Sequence, residues 1–235
     1  MDIPQKVQQT NWQVVTDSMH DKGYAIVPGI LDEAECDNLV NQYPEEGIYR
    51  KTIQMEHHGY GLGQYKYYSY PLPAVVQQLR EHVYPHIAPV ANKWMEVLGI
   101  EKNFPPTLAE LTALCNEHDQ NRPTPLILKY GVGGYNALHQ DLYGEVFFPM
   151  QMVVCLNQPG EDYTGGEFVL VEQRPRMQSK AIVLNPNKGD ILLFTTNFRP
   201  VKGTRGYYRV NMKHGVSELT SGERHTLGII FHDAS

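Results

Sequence analysis

The hydrophobic positions change period about halfway along the chain. In residues 6–20, Val7, Trp12, Val15 and Met19 recur at roughly helical spacing. The run Tyr24–Val27 predicts a short strand that ends at Pro28-Gly29. Asp32 followed by Glu35 is a capping-box pair, and predicts a helix running to about Tyr43, just before Pro44. Residues 73–99 predict a helix pair, broken near Pro85 and Pro89 and closed by Gly99, and residues 105–119 a further helix behind Pro105-Pro106. Between them lies GYGLGQYKYYSYP, residues 59–71, with five tyrosines and three glycines. It predicts a loop or irregular hairpin whose rings either pack internally or form a wall facing a substrate.

After Pro125 the runs are short and β-rich: Leu126–Tyr130, Phe148–Leu156, Glu167–Val171, Ala181–Leu184, Asp190–Thr195, Tyr207–Met212 and Thr226–Phe231. Gly, Pro and Asn punctuate them, the pattern of a sandwich or jelly roll. The expected class is α+β, a double-stranded β-helix (jelly roll) core with N-terminal helices packed on it. No repeat or linker is visible, so residues 1–235 are expected to form a single domain, with 1–123 as mainly helical support and 124–235 as the jelly-roll catalytic core.

Composition narrows the class further. The 235 residues carry a net charge of −6, and no stretch of about 18 apolar residues could cross a membrane. The N-terminal residues lack the apolar core of a signal peptide. Cys36, Cys115 and Cys155 are far apart, with no CxxC, which fits a reducing, cytoplasmic location and neither a zinc knuckle nor a disulfide framework. The acidic total argues against coating nucleic acid by bulk charge. It hides an asymmetry, because residues 174–213 hold nine Lys/Arg and one acid, Asp190. That segment is either a solvated basic face or a place for anions.

The chemistry concentrates in YGVGGYNALHQD, residues 130–141. His139 and Asp141 are two apart, so on a strand both reach one side and one metal ion. A second histidine would complete a 2-His-1-carboxylate facial triad with positions open for substrate and dioxygen. His214, His225 and His232 are the downstream candidates. Ten residues after His214 comes Arg224, then Thr226 two further on. A guanidinium fork beside the metal is what a dicarboxylate cosubstrate needs, and a neighbouring hydroxyl adds a bond.

HQD followed by HGVSELTSGERHT resembles the iron(II)- and 2-oxoglutarate-dependent dioxygenase superfamily over roughly residues 124–233. LHQDLYGE, TGGEFVLVEQRPRMQS and the KHGV to GIIFHDA stretch resemble, over nearly the whole chain, a bacterial subfamily of oxygenases presumed to act on nucleic acid (the Oxygenase-NA type). The resemblance implies Fe(II) on His139, Asp141 and His214, and 2-oxoglutarate anchored by Arg224. Tyr130, nine residues before His139, is similar to a cosubstrate-binding tyrosine of AlkB-like demethylases, and Thr226 is implied as a second hydroxyl. AlkB-like enzymes carry a longer motif with two arginines; the single Arg at ten residues is similar to prolyl-hydroxylase relatives. The implied reaction consumes dioxygen and 2-oxoglutarate, forms succinate and carbon dioxide, and hydroxylates a substrate C–H bond.

Three substrate classes stay open: nucleic acid, a protein side chain and a small molecule. Demethylation of damaged nucleic acid and prolyl-type hydroxylation are the two concrete forms. Arg199, Lys202 and Arg205, in the insertion before the distal histidine, are expected to contact the substrate. A different class is a non-catalytic, cupin-like metal or ligand binder, which would give Arg224 no dicarboxylate to hold.

Overall fold

A computed structural model describes residues 1–142 and 144–235; Tyr143, within the LHQDLYGE stretch, lies outside the described residues. Five helices are present among them: α1 (Ile3–Gln9), α2 (Trp12–Lys22), α3 (Glu33–Asn41), α4 (Ala74–Val97) and α5 (Leu108–Glu117). The strands are β1 (Tyr24–Val27), β2 (Tyr49–Gln54), β3 (Gly61–Leu62), β4 (Gln64–Tyr68), β5 (Leu126–Tyr130), β6 (Tyr135–His139), β7 (Met150–Cys155) and β8 (Tyr163–Gly165). They continue with β9 (Phe168–Gln173), β10 (Lys180–Leu184), β11 (Ile191–Thr195), β12 (Phe198–Gly203), β13 (Gly206–Val216), β14 (Leu219–Gly222) and β15 (Arg224–Ile230).

Two antiparallel sheets face one another in a jelly roll. The larger has the order β1-β11-β7-β15-β5-β4-β2, and the smaller β10-β9-β13-β6-β3, with β12 paired to β13. A small ribbon, β14-β8, closes one end. The middle strands of the larger sheet are apolar on both faces, as buried strands must be. Met152, Val154, Ile191 and Leu193 face the helices, while Val153, Leu192 and Phe194 face Phe168, Leu170, Val210 and Met212 of the smaller sheet. The helical layer and the sheet therefore share one continuous core.

The Asp32 capping box closes as expected, Glu35 N donating to Asp32 Oδ1 at 2.9 Å and Asp32 N to Glu35 Oε2 at 2.8 Å. Three expectations need correction. Residues 6–20 are two helices, because Asn11 caps a new start with its side chain accepting from Val14 N. Residues 73–99 form one helix that continues through Pro85 and Pro89. Each proline removes one N–H and frees a carbonyl, here on an exposed face that water can solvate, while Leu79, Val83, Ile87, Val90 and Trp94 bury the opposite face along the whole length. The expected boundary at 123/124 is not structural either, since β1, β2 and β4 join the larger sheet and β3 the smaller.

Candidate active site

His139 ends β6 and stands directly across from His214 on β13, with ring centroids 4.2 Å apart. Asp141 lies just past the end of β6, so strand alternation does not place it. Gln140 does: its Nε2 lies 2.8–2.9 Å from Asn197 O, Asn197 Oδ1 and Met212 O, and this anchors the turn. The outcome is the one that strand geometry was expected to give. Asp141 Oδ1 is 3.4 Å from His139 Nε2, Asp141 Oδ2 is 3.3 Å from His214 Nε2, and the three ligand atoms lie within 4.8 Å of one another. His139 Nδ1 is 2.7 Å from Ala137 O, which assigns the proton to Nδ1 and leaves the Nε2 lone pair facing the cluster.

The electrostatics suit a cation. Burial and the neighbouring His214 lower the His139 pKa, favouring the neutral imidazole that a metal needs. Burial alone would raise Asp141; the hydrogen bond and charge of His214, helped by His139 and Gln151, outweigh it and hold the carboxyl well below its usual range. Gln151 on β7 donates to Asp141 Oδ2 at 2.6 Å and so fixes that carboxylate's orientation. Gln151 was not anticipated from sequence. Its signal was a lone polar residue inside the apolar run FFPMQMVVCL.

The second cluster is built across β5 and β15, where Tyr130 and Arg224 are paired residues. Thr226, two residues on, projects to the same side. All three are buried. Arg224 Cζ lies 5.7 Å from the Tyr130 ring and 5.9 Å from that of Tyr163. Its Nε and Nη1 find no hydrogen-bond partner among the described residues, and neither does the Tyr130 hydroxyl, whose polar neighbours are Arg224 and Asn136. Gly166, at φ +65°, backs this cluster; a Cβ there would run into Leu219 Cδ1 and come within 3.0 Å of Arg224 Cδ.

Both clusters open into one cavity of about 420 Å³, lined by His139, Asp141, His214, Tyr130, Arg224 and Thr226 together with Tyr60, Tyr65 and Tyr67. The tyrosine-rich stretch thus divides its work: these three face the cavity, Tyr68 is buried in the core, and Tyr70 OH donates to Asp233 Oδ2 at 2.8 Å. Arg199, Lys202 and Arg205 do not line the cavity. Arg199 is buried against Glu172, Nη2 to Oε2 at 2.6 Å, and is not free to meet a substrate. Lys202 and Arg205 are exposed at the far end of the β12–β13 hairpin, about 26 Å of strand from His214. His225 turns away from the Arg224 side, as alternation predicts, and packs edge-on against Tyr43. His232 is fully buried, with its carbonyl accepting from Thr124 Oγ1.

The ligand set and the unpartnered Arg224 and Tyr130 donors fit an iron ion beside a dicarboxylate. A buried guanidinium is costly without an anion, and 2-oxoglutarate supplies one at its distal end. All three cysteines are free and buried, and among the described residues no helix is long and apolar enough to cross a membrane.

Comparison with known proteins agrees with this reading. The Oxygenase-NA family model, described as an oxygenase catalysing oxidative methylation of damaged DNA, matches residues 63–234. An uncharacterized protein of Mycobacterium tuberculosis, Rv2227, is 37% identical over 228 residues, 97% of this chain and 93% of that protein. A Pseudomonas putida prolyl-4-hydroxylase shares the fold at TM-score 0.56 and 12% identity, over 95% of this chain and 99% of that one. A 2-oxoglutarate–Fe(II) oxygenase family oxidoreductase from Burkholderia pseudomallei does so at TM-score 0.57 and 12% identity, over 94% and 90%. The chain belongs to the Oxygenase-NA family of oxygenases, and it shares its fold with a prolyl-4-hydroxylase and a 2-oxoglutarate–Fe(II) oxygenase family member.

Proposed function

We propose that this oxygenase hydroxylates a C–H bond on a modified nucleic-acid base, with His139, Asp141 and His214 holding Fe(II) and Arg224, Tyr130 and Thr226 holding the distal carboxylate of 2-oxoglutarate. The observation that carries the site assignment is the pair of buried, unpartnered donors, Arg224 and Tyr130, in the same cavity as the three metal-ligand side chains. The bound iron supplies oxidation by dioxygen coupled to 2-oxoglutarate decarboxylation. The protein's own part is to orient and to exclude water. Arg224 offers a forked, charge-assisted contact, Tyr130 a hydroxyl proton, and Gln151 steadies Asp141.

The base reading draws on the family description and on Tyr60, Tyr65 and Tyr67, whose rings offer stacking surfaces beside the metal ligands. Neither dioxygen nor 2-oxoglutarate carries a methyl group to transfer. Hydroxylation of an N-methyl carbon instead gives a hemiaminal that releases formaldehyde, so the direction consistent with the site is methyl removal. A polypeptide substrate is the second reading. It is favoured by Leu138, exposed at the cavity, and by a lining whose one Lys/Arg side chain, among the described residues, is Arg224.

The test is succinate and formaldehyde release with N-methylated oligonucleotides beside peptide pools. Methylated oligonucleotides are expected to stimulate both products, and His139→Ala and Arg224→Ala to abolish that stimulation. Turnover that persisted in either variant would sink the site assignment. Stimulation by peptides alone would replace the base with a side chain as substrate.

A further inference from the structure

The basic segment, absent from the cavity, forms a surface of its own. Of its nine cations, Arg174 and Arg199 are both held by Glu172, and Lys188 by Asp37 and Glu33. Arg176, Lys180, Lys202, Arg205, Arg209 and Lys213 have no carboxylate at ion-pair distance among the described residues. Four of these six stand on the β12–β13 hairpin. Along β13 the inward positions Tyr208, Val210 and Met212 pack between the sheets, so Tyr207, Arg209, Asn211 and Lys213 face outward. Register places Lys202 opposite Tyr207 on the same side. Arg205 completes the row at the hairpin tip.

The row is ordered as well as basic. Its outward residues repeat about every 7 Å and run some 20 Å from Tyr207 to Lys213, which stands on the opposite face of β13 from His214. Tyr207 is 47% exposed between cations. Arg209 Cζ lies over the Phe198 ring, 4.1 Å from its centroid, a cation–π contact that holds the guanidinium against the sheet. The face carries four cations without a carboxylate partner in a chain of net charge −6, so an anionic partner is drawn here rather than to the rest of the surface.

We propose that the outer face of β12–β13 is a track for a single-stranded nucleic acid, with Lys202, Arg205, Arg209 and Lys213 on successive phosphates and Tyr207 stacked on a base. This rests on the base-directed reading of the active site. It supplies the backbone contacts that the cavity lacks. A row of cations with an exposed ring suits an unstacked strand, which offers a π-face at every nucleotide.

The track is tested by fluorescence anisotropy on the full chain, with a fluorescein-labelled oligo(dT) of about 12 nucleotides at low salt. The variant Lys202→Gln/Arg205→Gln/Arg209→Gln is expected to bind at least tenfold more weakly. The slope of log affinity against log salt should also fall by about 2, as about 0.7 per lost single-strand phosphate contact requires. Tyr207→Ala should weaken binding and leave that slope unchanged. These side chains are exposed, and matching thermal melts separate lost binding from lost fold. Unchanged affinity in the triple variant overturns the track. So does equal affinity for the duplex or for phosphatidylglycerol vesicles. Anisotropy needs neither iron nor turnover, so a failure here leaves the oxygenase assignment standing. Failure of methylated oligonucleotides to stimulate succinate release, with oligo(dT) binding intact, instead overturns the base-directed reading alone.

Discussion

Tyr130 and Arg224 both carry buried donors that find no hydrogen-bond partner among the described residues. Burial raises the Tyr130 phenol to about 12, with the Arg224 charge pulling the other way, so the hydroxyl remains a proton donor at any physiological pH. A buried donor without a partner costs the folded state about 1–3 kcal/mol, and a hydrogen bond to a charged ligand returns about 1.5–3. Tyr130→Phe removes both terms. The variant is therefore expected to melt at or above the wild-type temperature, while the KM for 2-oxoglutarate rises roughly 10- to 100-fold. Thermal melts with and without 2-oxoglutarate check this: the ligand-induced stabilisation should shrink while the ligand-free value holds. A ligand-free loss of several degrees would mean that the hydroxyl is structural.

At the scale of elements, the site was legible wherever chemistry demands residue types at fixed offsets. His139, Asp141, His214, Arg224, Tyr130 and Thr226 all converge on one cavity. The jelly-roll strands were legible because β7 and β11 are apolar on both faces and bounded by turn residues. What escaped were elements whose pattern is broken by a satisfied exception. In β4 the buried position Lys66 interrupts the apolar alternation; its Nζ donates to Tyr43 O at 2.9 Å and lies over the Tyr43 ring. In α4 the prolines face water, so the apolar stripe outweighs them. Gly166 carries no side chain to read, yet its close approach lets the segment after β8 lie against Arg224. Gly166→Ala adds a strained φ and a methyl where Leu219 and Arg224 stand. It should cost about 1–3 kcal/mol of stability and weaken 2-oxoglutarate binding together. A denaturant melt beside a 2-oxoglutarate titration tests it, and normal cosubstrate affinity in the variant would show that Arg224 does not depend on that backing.

At the scale of the whole molecule, one buried ion pair ties the helical layer to the end of the jelly roll. Arg80 of α4 donates through Nη2 to Asp233 Oδ1 at 2.5 Å and to Phe231 O at 2.6 Å, and through Nη1 to Tyr70 OH at 2.8 Å. Both charged side chains are 1% exposed. The clasp thus joins a residue of α4, one of the tyrosine-rich stretch and the segment that follows β15. Removing one charge strands the other in an apolar interior, a loss of about 3–5 kcal/mol. Asp233→Asn should therefore lower the melting temperature by about 10 °C, at the 2–4 °C per kcal/mol of a chain this size. If residues 1–235 are one cooperative domain, calorimetry will show a single transition that shifts as a whole. Two resolved transitions would mean that the helical half and the jelly roll melt separately. The paired replacement Arg80→Met with Asp233→Leu should recover part of the loss, because neither partner then remains as a lone buried charge.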